Sequence, residues 1–292
     1  MDKKFSPGTE WIYLKIYISK SYIDKLLVTE INQVIKKLID GKIITKFFFI
    51  RYADPHPHLR IRLLSNDPSN NNSIIVAFER KLKKLLINDI IWKIQIDTYF
   101  PELDRYNDKL LELTESLFFI DSLYSLKIIK YIKENCSEDY RWMICFKSID
   151  SYLNNFTDKN DLDSKIIFMD ELSLAFRHDF GFDEYNAKIL NEIYRDKRNV
   201  IESILYNTSD HHIIKLQKII EQRDKELLQI NQQMKKICEK YEINRNGLLA
   251  SYIHMNINRL IPAKNKIHEL LLYDFLKRTY VSRRAKYNFQ VN

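Results

Sequence analysis

Residues 11–19 read WIYLKIYIS, and this stretch decides the fold because aliphatic residues occupy every second position from Ile12 to Ile18. Ile12, Leu14 and Ile16 would lie on one side of an extended chain, with Tyr13 and Lys15 on the other. A repeat of two residues is typical of a β-strand that buries one face. We therefore predict a strand here and a sheet built around it.

Outward from this strand, helical and strand-like segments alternate. Residues 21–39 carry one apolar stripe that predicts a helix stopping at Gly41, and residues 73–87 predict a second helix. The stretch Asp54-Pro55-His56-Pro57 predicts a turn, because two prolines cannot donate ladder hydrogen bonds. Three more strands are predicted, at residues 45–52, 58–64 and 90–99. The order is βαββαβ, which is typical of a ferredoxin-like antiparallel sheet with helices on one face.

From about residue 106 onward the hydrophobic residues recur at helical spacing. Connections are predicted at Asp158 to Asp161 and at Phe180 to Asp183. Helices are predicted at residues 107–134, 138–154, 162–178, 183–206, 210–241, 245–260 and 264–280. The predicted fold class is therefore α+β, with a ferredoxin-like sheet region at residues 1–105 and a larger all-helical region at residues 106–292. Because no low-complexity linker separates them, we expect the regions to pack together as one functional unit.

The composition excludes several functional classes. With only four glycines, the chain cannot form a glycine-rich phosphate loop, so a nucleotide site of that kind is not expected. The net charge of +8 indicates either a lysine-rich solvated surface or attraction to an acidic peptide, a glutamylated substrate or RNA. The basic clusters lack the interleaved glycine and aromatic residues of an RNA-binding module, so direct binding of nucleic acid is not expected.

The cysteines and the hydropathy indicate a cytoplasmic protein without a metal or a cofactor. Cys136, Cys145 and Cys238 have no CxxC spacing, and reduced thiols fit them better than a zinc site. No histidine spacing matches a known metal motif. The sequence shows neither a signal peptide nor a run approaching the ~18 apolar residues of a membrane span.

The first candidate site follows the proline turn. On a strand, His58, Arg60 and Arg62 share one face. Two guanidinium groups about 6.5–7 Å apart along a strand can bind a dicarboxylate or two oxyanions through forked hydrogen bonds. An exposed basic strand would give the same alternation, so the pattern alone leaves both interpretations open.

Two further candidate sites lie later in the chain. On a helix, Ser251, His254 and Asn258 lie on one side, and a histidine there could move protons near neutral pH. A hydrogen-bonded histidine that packs between helices is the competing interpretation. Glu102 and Arg105 follow the last strand, where an ion pair joining the two regions is the alternative to an anion site.

Three motifs together resemble one family. The motifs follow the strand at residues 11–19 and read FIRYADPHPHLRIRL at residues 49–63, TYFPELDRY at residues 98–106 and SYIHMNINRL at residues 251–260. With them the chain resembles, from about residue 9 to residue 280, the C-terminal domain of lantibiotic dehydratases, also known as the thiopeptide-type bacteriocin biosynthesis domain.

The resemblance implies an enzyme of antibiotic peptide biosynthesis. In full-length members a large domain uses glutamyl-tRNA to glutamylate Ser and Thr of a precursor peptide, and the small domain then eliminates glutamate. The implied activity of this chain is that of a stand-alone lyase that produces dehydroalanine and dehydrobutyrine. The implied partners are a ribosomally made precursor with its leader and a separate glutamylating dehydratase subunit. Whether the chain forms a homodimer stays open.

The resemblance also implies roles for individual residues. Arg60 and Arg62 would anchor the glutamyl group, Arg105 would complete the anion site and His254 would be the acid/base. Arginines suit this reaction because negative charge develops on the enolate and on the leaving carboxylate. The family usually has RYGG where this chain has RYND at residues 105–108, so the local turn is expected to differ. Further substrate-binding candidates are His58, Ser251 and Asn258.

Two other functions remain open. Pyridine synthases of thiopeptide pathways resemble the same domain, but they join two dehydroalanines in a formal (4+2) cycloaddition and release the leader. Retention of Arg60, Arg62, Arg105 and His254 favours elimination, because cycloaddition has no glutamate to hold. A non-catalytic subunit that binds the precursor peptide is the alternative from another class.

Overall fold

The computed structural model describes residues 3–156 and 161–291 and has a mixed α and β fold. A small antiparallel sheet lies in the N-terminal part of the chain, and most of the later residues are helical. The strands are β1 (Trp11–Ile18), β2 (Ile44–Tyr52), β3 (His58–Ser65) and β4 (Ile91–Asp97), in the spatial order β2-β3-β1-β4. Strand β1 pairs with both β3 and β4, so the alternating stretch is a central strand.

The helices between the strands complete a βαββαβ order. They are α1 (Lys20–Leu26), a π-helical turn (Leu27–Ile31), α2 (Asn32–Asp40), a 3₁₀ turn (Pro68–Asn70) and α3 (Asn71–Ile87). Helix α2 ends at Asp40 as predicted, but Gly41 has φ −79° and Lys42 takes the left-handed conformation with φ 54°. The Ile43 amide then donates to the Leu38 carbonyl at 2.9 Å, which closes the helix end.

Eight helices follow the sheet in the described part of the chain. They are α4 (Leu103–Tyr106), α5 (Leu111–Asn135), α6 (Tyr140–Phe156), α7 (Leu162–Asp179), α8 (Glu184–Tyr206), α9 (His211–Tyr241), α10 (Arg245–Leu260) and α11 (Asn265–Val291), with a 3₁₀ turn (Asp108–Leu110) before α5. Within residues 3–156 and 161–291, none of the helices combines the length and the apolar character that a bilayer crossing requires.

The predicted elements are confirmed in order and type, with differences at their ends. The helix predicted from residue 107 begins at Leu111, because Asn107 has a positive φ of 61° that interrupts helical geometry. The last helix extends beyond residue 280 to Val291, since no glycine or proline stops it. The connection predicted at Asp158 to Asn160 lies outside the described residues.

The chain forms two compact units. Unit 1 comprises Met1–Lys130, Gln232–Ile243 and Asn258–Ala263, and unit 2 comprises Tyr131–Asn231, Asn244–Ile257 and Lys264–Asn292. The division falls within α5, α9 and α10, so each of these helices contributes residues to both units. The predicted division into regions at residue 105 stays a prediction.

The core of unit 1 lies against one face of the sheet. The register pairs Leu14 with Ile61 and Ile16 with Leu59, and these four side chains are at most 2% exposed. Helices α1, α2 and α3 contact β3, β2 and β4, respectively. Burying a Leu or Ile side chain completely stabilises the folded state by about 1.5–3 kcal/mol relative to leaving it exposed. The apolar face of the sheet therefore stabilises its packing against the helices.

The outer edge of β2 is covered by side chains rather than by another strand. The Phe49 amide donates to Ser122 Oγ at 3.3 Å, and the Phe49 carbonyl accepts from Arg259 Nε at 3.1 Å. The side-chain amide of Asn258 both accepts from the Arg51 amide at 2.9 Å and donates to the Arg51 carbonyl at 3.0 Å. These contacts satisfy backbone groups that a free edge would leave unpaired.

Unit 2 is a helical body with a polar network inside it. Arg223 is 1% exposed, and its guanidinium donates to Ser148 Oγ at 2.8 Å and to Asp224 Oδ1 at 3.0 Å. Ser148 in turn donates to Asn256 Oδ1 at 2.8 Å. Helix α11 packs on α6, α7 and α8. The paired charges allow the interior to hold an arginine without an unsatisfied charge.

Candidate functional site

The sheet of unit 1 presents a second face on which cationic and aromatic side chains meet. The register pairs Arg62 with Tyr13, and Arg60 with Lys15, between β3 and β1. On the other side of β3, Arg62 is paired with Phe48 of β2. The alternation that buries aliphatic residues on one face therefore gathers the arginines on the other.

Arg62 is a buried cation on this face. Its side chain is 7% exposed, and the guanidinium carbon lies 4.5 Å from the Tyr13 ring centre, 4.9 Å from that of Tyr99 and 5.3 Å from that of Phe48. Within the described residues it makes no ion pair, and its Nε has no hydrogen-bond partner. Burial lowers the pKa of Arg62 from its usual value. An enclosed guanidinium of this kind favours binding of an anion.

Arg60 is less buried and is held by neighbours on the same face. Its guanidinium carbon lies 3.4 Å from the Tyr52 ring centre, and its Nε donates to His58 Nε2 at 3.0 Å. His58 Nδ1 lies 2.8 Å from the His56 carbonyl, to which it donates. Burial lowers the pKa of His58, which keeps the ring neutral and its Nε2 an acceptor. His58 thus orients Arg60.

Arg105 lies beyond the last strand, in the short helix α4. Its Nη1 donates to Glu102 Oε2 at 3.2 Å, and its side chain is 42% exposed. Desolvation is the main influence on the pKa of Arg62, and the Glu102 carboxylate also acts on that group by raising its pKa. The Glu102–Arg105 pair therefore lies within electrostatic range of Arg62, in the same unit.

The turn after Arg105 departs from the family pattern in sequence but keeps a glycine-like backbone. Asn107 has φ 61° and ψ 138°, a conformation that favours glycine. Its side-chain oxygen accepts from the Lys109 amide at 3.0 Å and caps the 3₁₀ turn that follows. The asparagine that stands at the first glycine of the family motif thus takes a positive φ here and adds a cap.

A buried carboxylate lies behind the aromatic residues that enclose Arg62. The Tyr99 hydroxyl donates to Glu115 Oε1 at 2.9 Å, and burial raises the pKa of Glu115 to about 7. The pKa of Tyr99 is raised well above its usual value, mainly by burial, so the phenol keeps its proton. Glu115 therefore changes charge near neutral pH next to a residue that contacts Arg62.

Unit 2 carries the candidate acid/base. His254 lies in α10, and its Nδ1 is 2.9 and 3.0 Å from the two carboxylate oxygens of Glu269 in α11. Its side chain is 34% exposed, whereas that of Glu269 is 1% exposed. The Tyr273 hydroxyl donates to Glu269 Oε2 at 3.2 Å. In this arrangement Nδ1 of His254 is engaged in a hydrogen bond, and Nε2 is available to exchange a proton.

The polar atoms of the remaining candidates are already engaged. Ser251 Oγ donates to the Gly247 carbonyl at 3.0 Å within α10. Asn258 uses its amide on the backbone of Arg51, at the covered edge of β2. Their binding of substrate stays a prediction.

Sequence reasoning missed the residues that surround the candidates. Tyr13, Tyr99, Glu115 and Glu269 are not among the site residues that the sequence predicts. Glu269 did leave a signal: it lies on the apolar side of α11, three, four and seven residues before Leu272, Tyr273 and Leu276, all of which are buried. A lone carboxylate in such a stripe predicts a buried partner.

Comparisons with known proteins identify the family and the fold. The model of the family described as "Lantibiotic biosynthesis dehydratase C-term" matches residues 11–280. The nisin biosynthesis protein NisB of Lactococcus lactis subsp. lactis is 28% identical over 94% of this chain and 26% of its own length. The chain thus spans about a quarter of that curated relative. The sequence similarity therefore extends along nearly the whole chain.

Two solved structures share the fold. The tRNA-dependent lantibiotic dehydratase MibB from Microbispora sp. 107891 superposes with a TM-score of 0.76 at 18% identity, over 95% of this chain and 29% of MibB. The pyridine synthase TbtD from thiomuracin biosynthesis superposes with a TM-score of 0.69 at 11% identity, over 94% of this chain and 98% of TbtD. At these identities the structures establish the fold alone.

The match along nearly the whole chain defines the class of the protein as that of a dehydratase C-terminal domain. The chain belongs to the family of lantibiotic biosynthesis dehydratase C-terminal domains. The resemblance to this family that the sequence motifs indicate is therefore confirmed.

Proposed function

We propose that the chain eliminates glutamate from glutamylated Ser and Thr residues of a ribosomally made precursor peptide, giving dehydroalanine and dehydrobutyrine. The observation that carries this proposal is Arg62, a buried guanidinium without a counter-ion among the described residues. Arg60 lies two residues away on the same strand face. A glutamyl carboxylate would supply the negative charge that Arg62 lacks.

Each residue has a distinct role in the proposal. Arg60 and Arg62 bind the carboxylate of the glutamyl group, and Arg105 adds positive charge for the leaving group. His254 removes the Cα proton, the electron pair forms the Cα–Cβ double bond, and the Cβ–O bond breaks to release glutamate. Arginine charge next to the departing carboxylate stabilises it where negative charge develops. His58 supports binding by orienting Arg60.

The proposal also names partners and a fold type. The substrate is a precursor peptide with its leader, and a separate glutamyl-tRNA-dependent protein adds the glutamate before this chain acts. We assign the sheet that carries the arginines to the ferredoxin-like type, since its strand order is β2-β3-β1-β4 in a βαββαβ chain.

Mass spectrometry of a peptide carrying glutamylated Ser or Thr tests the proposal. The wild-type chain should remove one glutamic acid per modified site. Arg62→Gln and His254→Ala should leave the glutamylated peptide accumulating, whereas Arg80→Gln, an exposed arginine of α3, should not slow the reaction. An unchanged glutamylated peptide after incubation with the folded wild-type chain would contradict the activity.

Two further measurements distinguish elimination from the two alternative functions. If the chain instead converts an already dehydrated, azole-bearing peptide into a macrocycle with release of its leader, it is a pyridine synthase. If it retains the precursor in a pull-down but changes no mass with any glutamylating partner, it is a binding subunit. Either result would replace elimination as the function.

A further inference from the structure

One polar pair in unit 2 joins a partly exposed histidine to a buried carboxylate that pairs with no other cationic side chain among the described residues. Glu269 is 1% exposed, and its hydrogen-bond partners among the described residues are His254 Nδ1 and the Tyr273 hydroxyl. No lysine or arginine of the described chain pairs with it. A buried carboxylate needs hydrogen-bond donors, and here the imidazole and the phenol are the groups placed to supply them.

We propose that Glu269 is a positioning residue that holds His254 with its proton on Nδ1, leaving Nε2 free to take the Cα proton of the substrate. This inference rests on the proposed function, because it assigns a task to His254. An ionised carboxylate only accepts hydrogen bonds, so a ring nitrogen 2.9–3.0 Å from both of its oxygens must donate. The neutral ring then has its lone pair on Nε2.

Tyr273 fixes the carboxylate in turn. The ring of Tyr273 is 1% exposed, and burial raises its pKa well above the usual value, with Glu269 adding to the effect. The phenol therefore keeps its proton and donates to Oε2 at 3.2 Å. Glu269 and Tyr273 are four residues apart on α11, so their side chains are neighbours on one helix. The helix backbone therefore positions both the donor and the acceptor of this hydrogen bond.

The pair suits proton removal for an electrostatic reason. When Nε2 takes the proton, the ring becomes an imidazolium, and its charge faces the Glu269 carboxylate across the Nδ1 hydrogen bond. The carboxylate is already in place, so no reorganisation is needed as the charge forms. Replacing it with a neutral amide removes this stabilisation. In addition, Gln can donate to Nδ1 and so move the ring proton to Nε2.

The Glu269→Gln variant tests the inference through two independent readouts. The chain has seven histidines, so the His254 signals of ¹⁵N-histidine-labelled protein are assigned by their absence in His254→Gln. Wild type should show a protonated Nδ1 and a bare Nε2, and Glu269→Gln should show the reverse. Turnover of glutamylated peptide should fall by about 10²–10⁴-fold in kcat, with KM changed by less than about threefold.

Three further variants distinguish a positioning role of Glu269 from a purely structural one. Glu269→Asp should retain the Nδ1 proton and recover part of the turnover, which a purely structural role of Glu269 does not predict. Tyr273→Phe should lower turnover by less than about tenfold. His268→Gln, at the half-buried neighbouring position of α11, should match wild type in both readouts.

The outcomes distinguish this inference from the proposed function. An unchanged His254 tautomer in Glu269→Gln, or near wild-type kcat in that variant while His254→Ala is inactive, would overturn the positioning role. If wild type eliminates no glutamate, the proposed function fails, while an exchanged tautomer in Glu269→Gln still supports the effect of Glu269 on the ring.

Discussion

Buried arginines in unit 1 fall into two groups that differ in their partners. At the covered edge of β2, Arg259 is fully buried and pairs with Asp121 at 2.8 Å, and Arg51 pairs with Asp24. On the arginine face of β3, Arg62 is almost as buried and has aromatic rings around it, but it makes no ion pair with a carboxylate among the described residues. The protein thus neutralises the first group by direct pairing, whereas Arg62 has no directly paired counter-ion in the described part of the chain.

The difference separates structural charge from functional charge. A buried ion pair with its hydrogen bonds made needs nothing from outside, and Arg259 also closes the backbone of β2 through Phe49. A buried guanidinium without a counter-ion is costly to fold, and such a cost is tolerated at sites that bind a complementary group. The comparison therefore predicts opposite responses to the same substitution at the two places.

Arg259→Met should produce the largest effect on stability. It removes the arginine that pairs with the fully buried Asp121 carboxylate, so the free energy of unfolding should fall by about 3–5 kcal/mol. Urea denaturation followed by circular dichroism measures the change. The double variant Arg259→Met with Asp121→Leu, which removes both charges, should recover part of the loss. A single variant as stable as wild type would mean that the pair is not structural.

Arg62→Met should lose activity without losing stability. Removing a buried charge that lacks a partner should leave the free energy of unfolding unchanged or raise it by about 1 kcal/mol. Elimination of glutamate should nevertheless slow by about 10²–10³-fold, as expected when one group that stabilises a developing anion is removed. Parallel denaturation and turnover measurements on the same preparation check both parts. Destabilisation as large as that of Arg259→Met would erase the distinction between the two groups.

Glu115 extends the comparison to a buried carboxylate. Its pKa in the folded protein is about 7 instead of 4.5, because burial disfavours the charged form. The folded state therefore binds the proton more tightly than the unfolded state, and the stability from this group is full below pH 4.5 and lost as pH rises through 7. Relative to Glu115→Gln, wild type should lose up to about 3 kcal/mol between pH 5 and pH 8. A difference between the two proteins that does not vary with pH would show that Glu115 is solvated.

The sequence predicts the helices and strands well, but it does not predict which charged side chains are enclosed or which partners they have. Periodicity located the strands and helices because it reflects which face of each element is buried. Arg60 and Arg62 look equivalent in the alternation of β3, yet only Arg62 is enclosed, by Tyr99 from beyond β4 and Tyr13 from β1. The partner of His254 likewise comes from a different helix. Such pairings depend on tertiary contacts, which local periodicity does not contain.

The smallest expected effect concerns the turn after Arg105, where the chain has asparagine in place of the family glycine. Asn107→Gly relieves a backbone conformation that costs a non-glycine residue about 1–3 kcal/mol, but it removes the cap on the Lys109 amide and adds freedom to the unfolded chain. These contributions oppose each other, so the free energy of unfolding of Asn107→Gly should stay within about 1 kcal/mol of wild type.

The control variant Asn107→Ala keeps the positive φ and loses the cap, so it should be less stable than both wild type and Asn107→Gly by about 1 kcal/mol or more. Thermal unfolding of the three proteins ranks them, and an alanine variant as stable as wild type would show that the cap contributes nothing. Because the Gly variant restores the family residue without moving Glu102 or Arg105, it should also leave the rate of elimination unchanged.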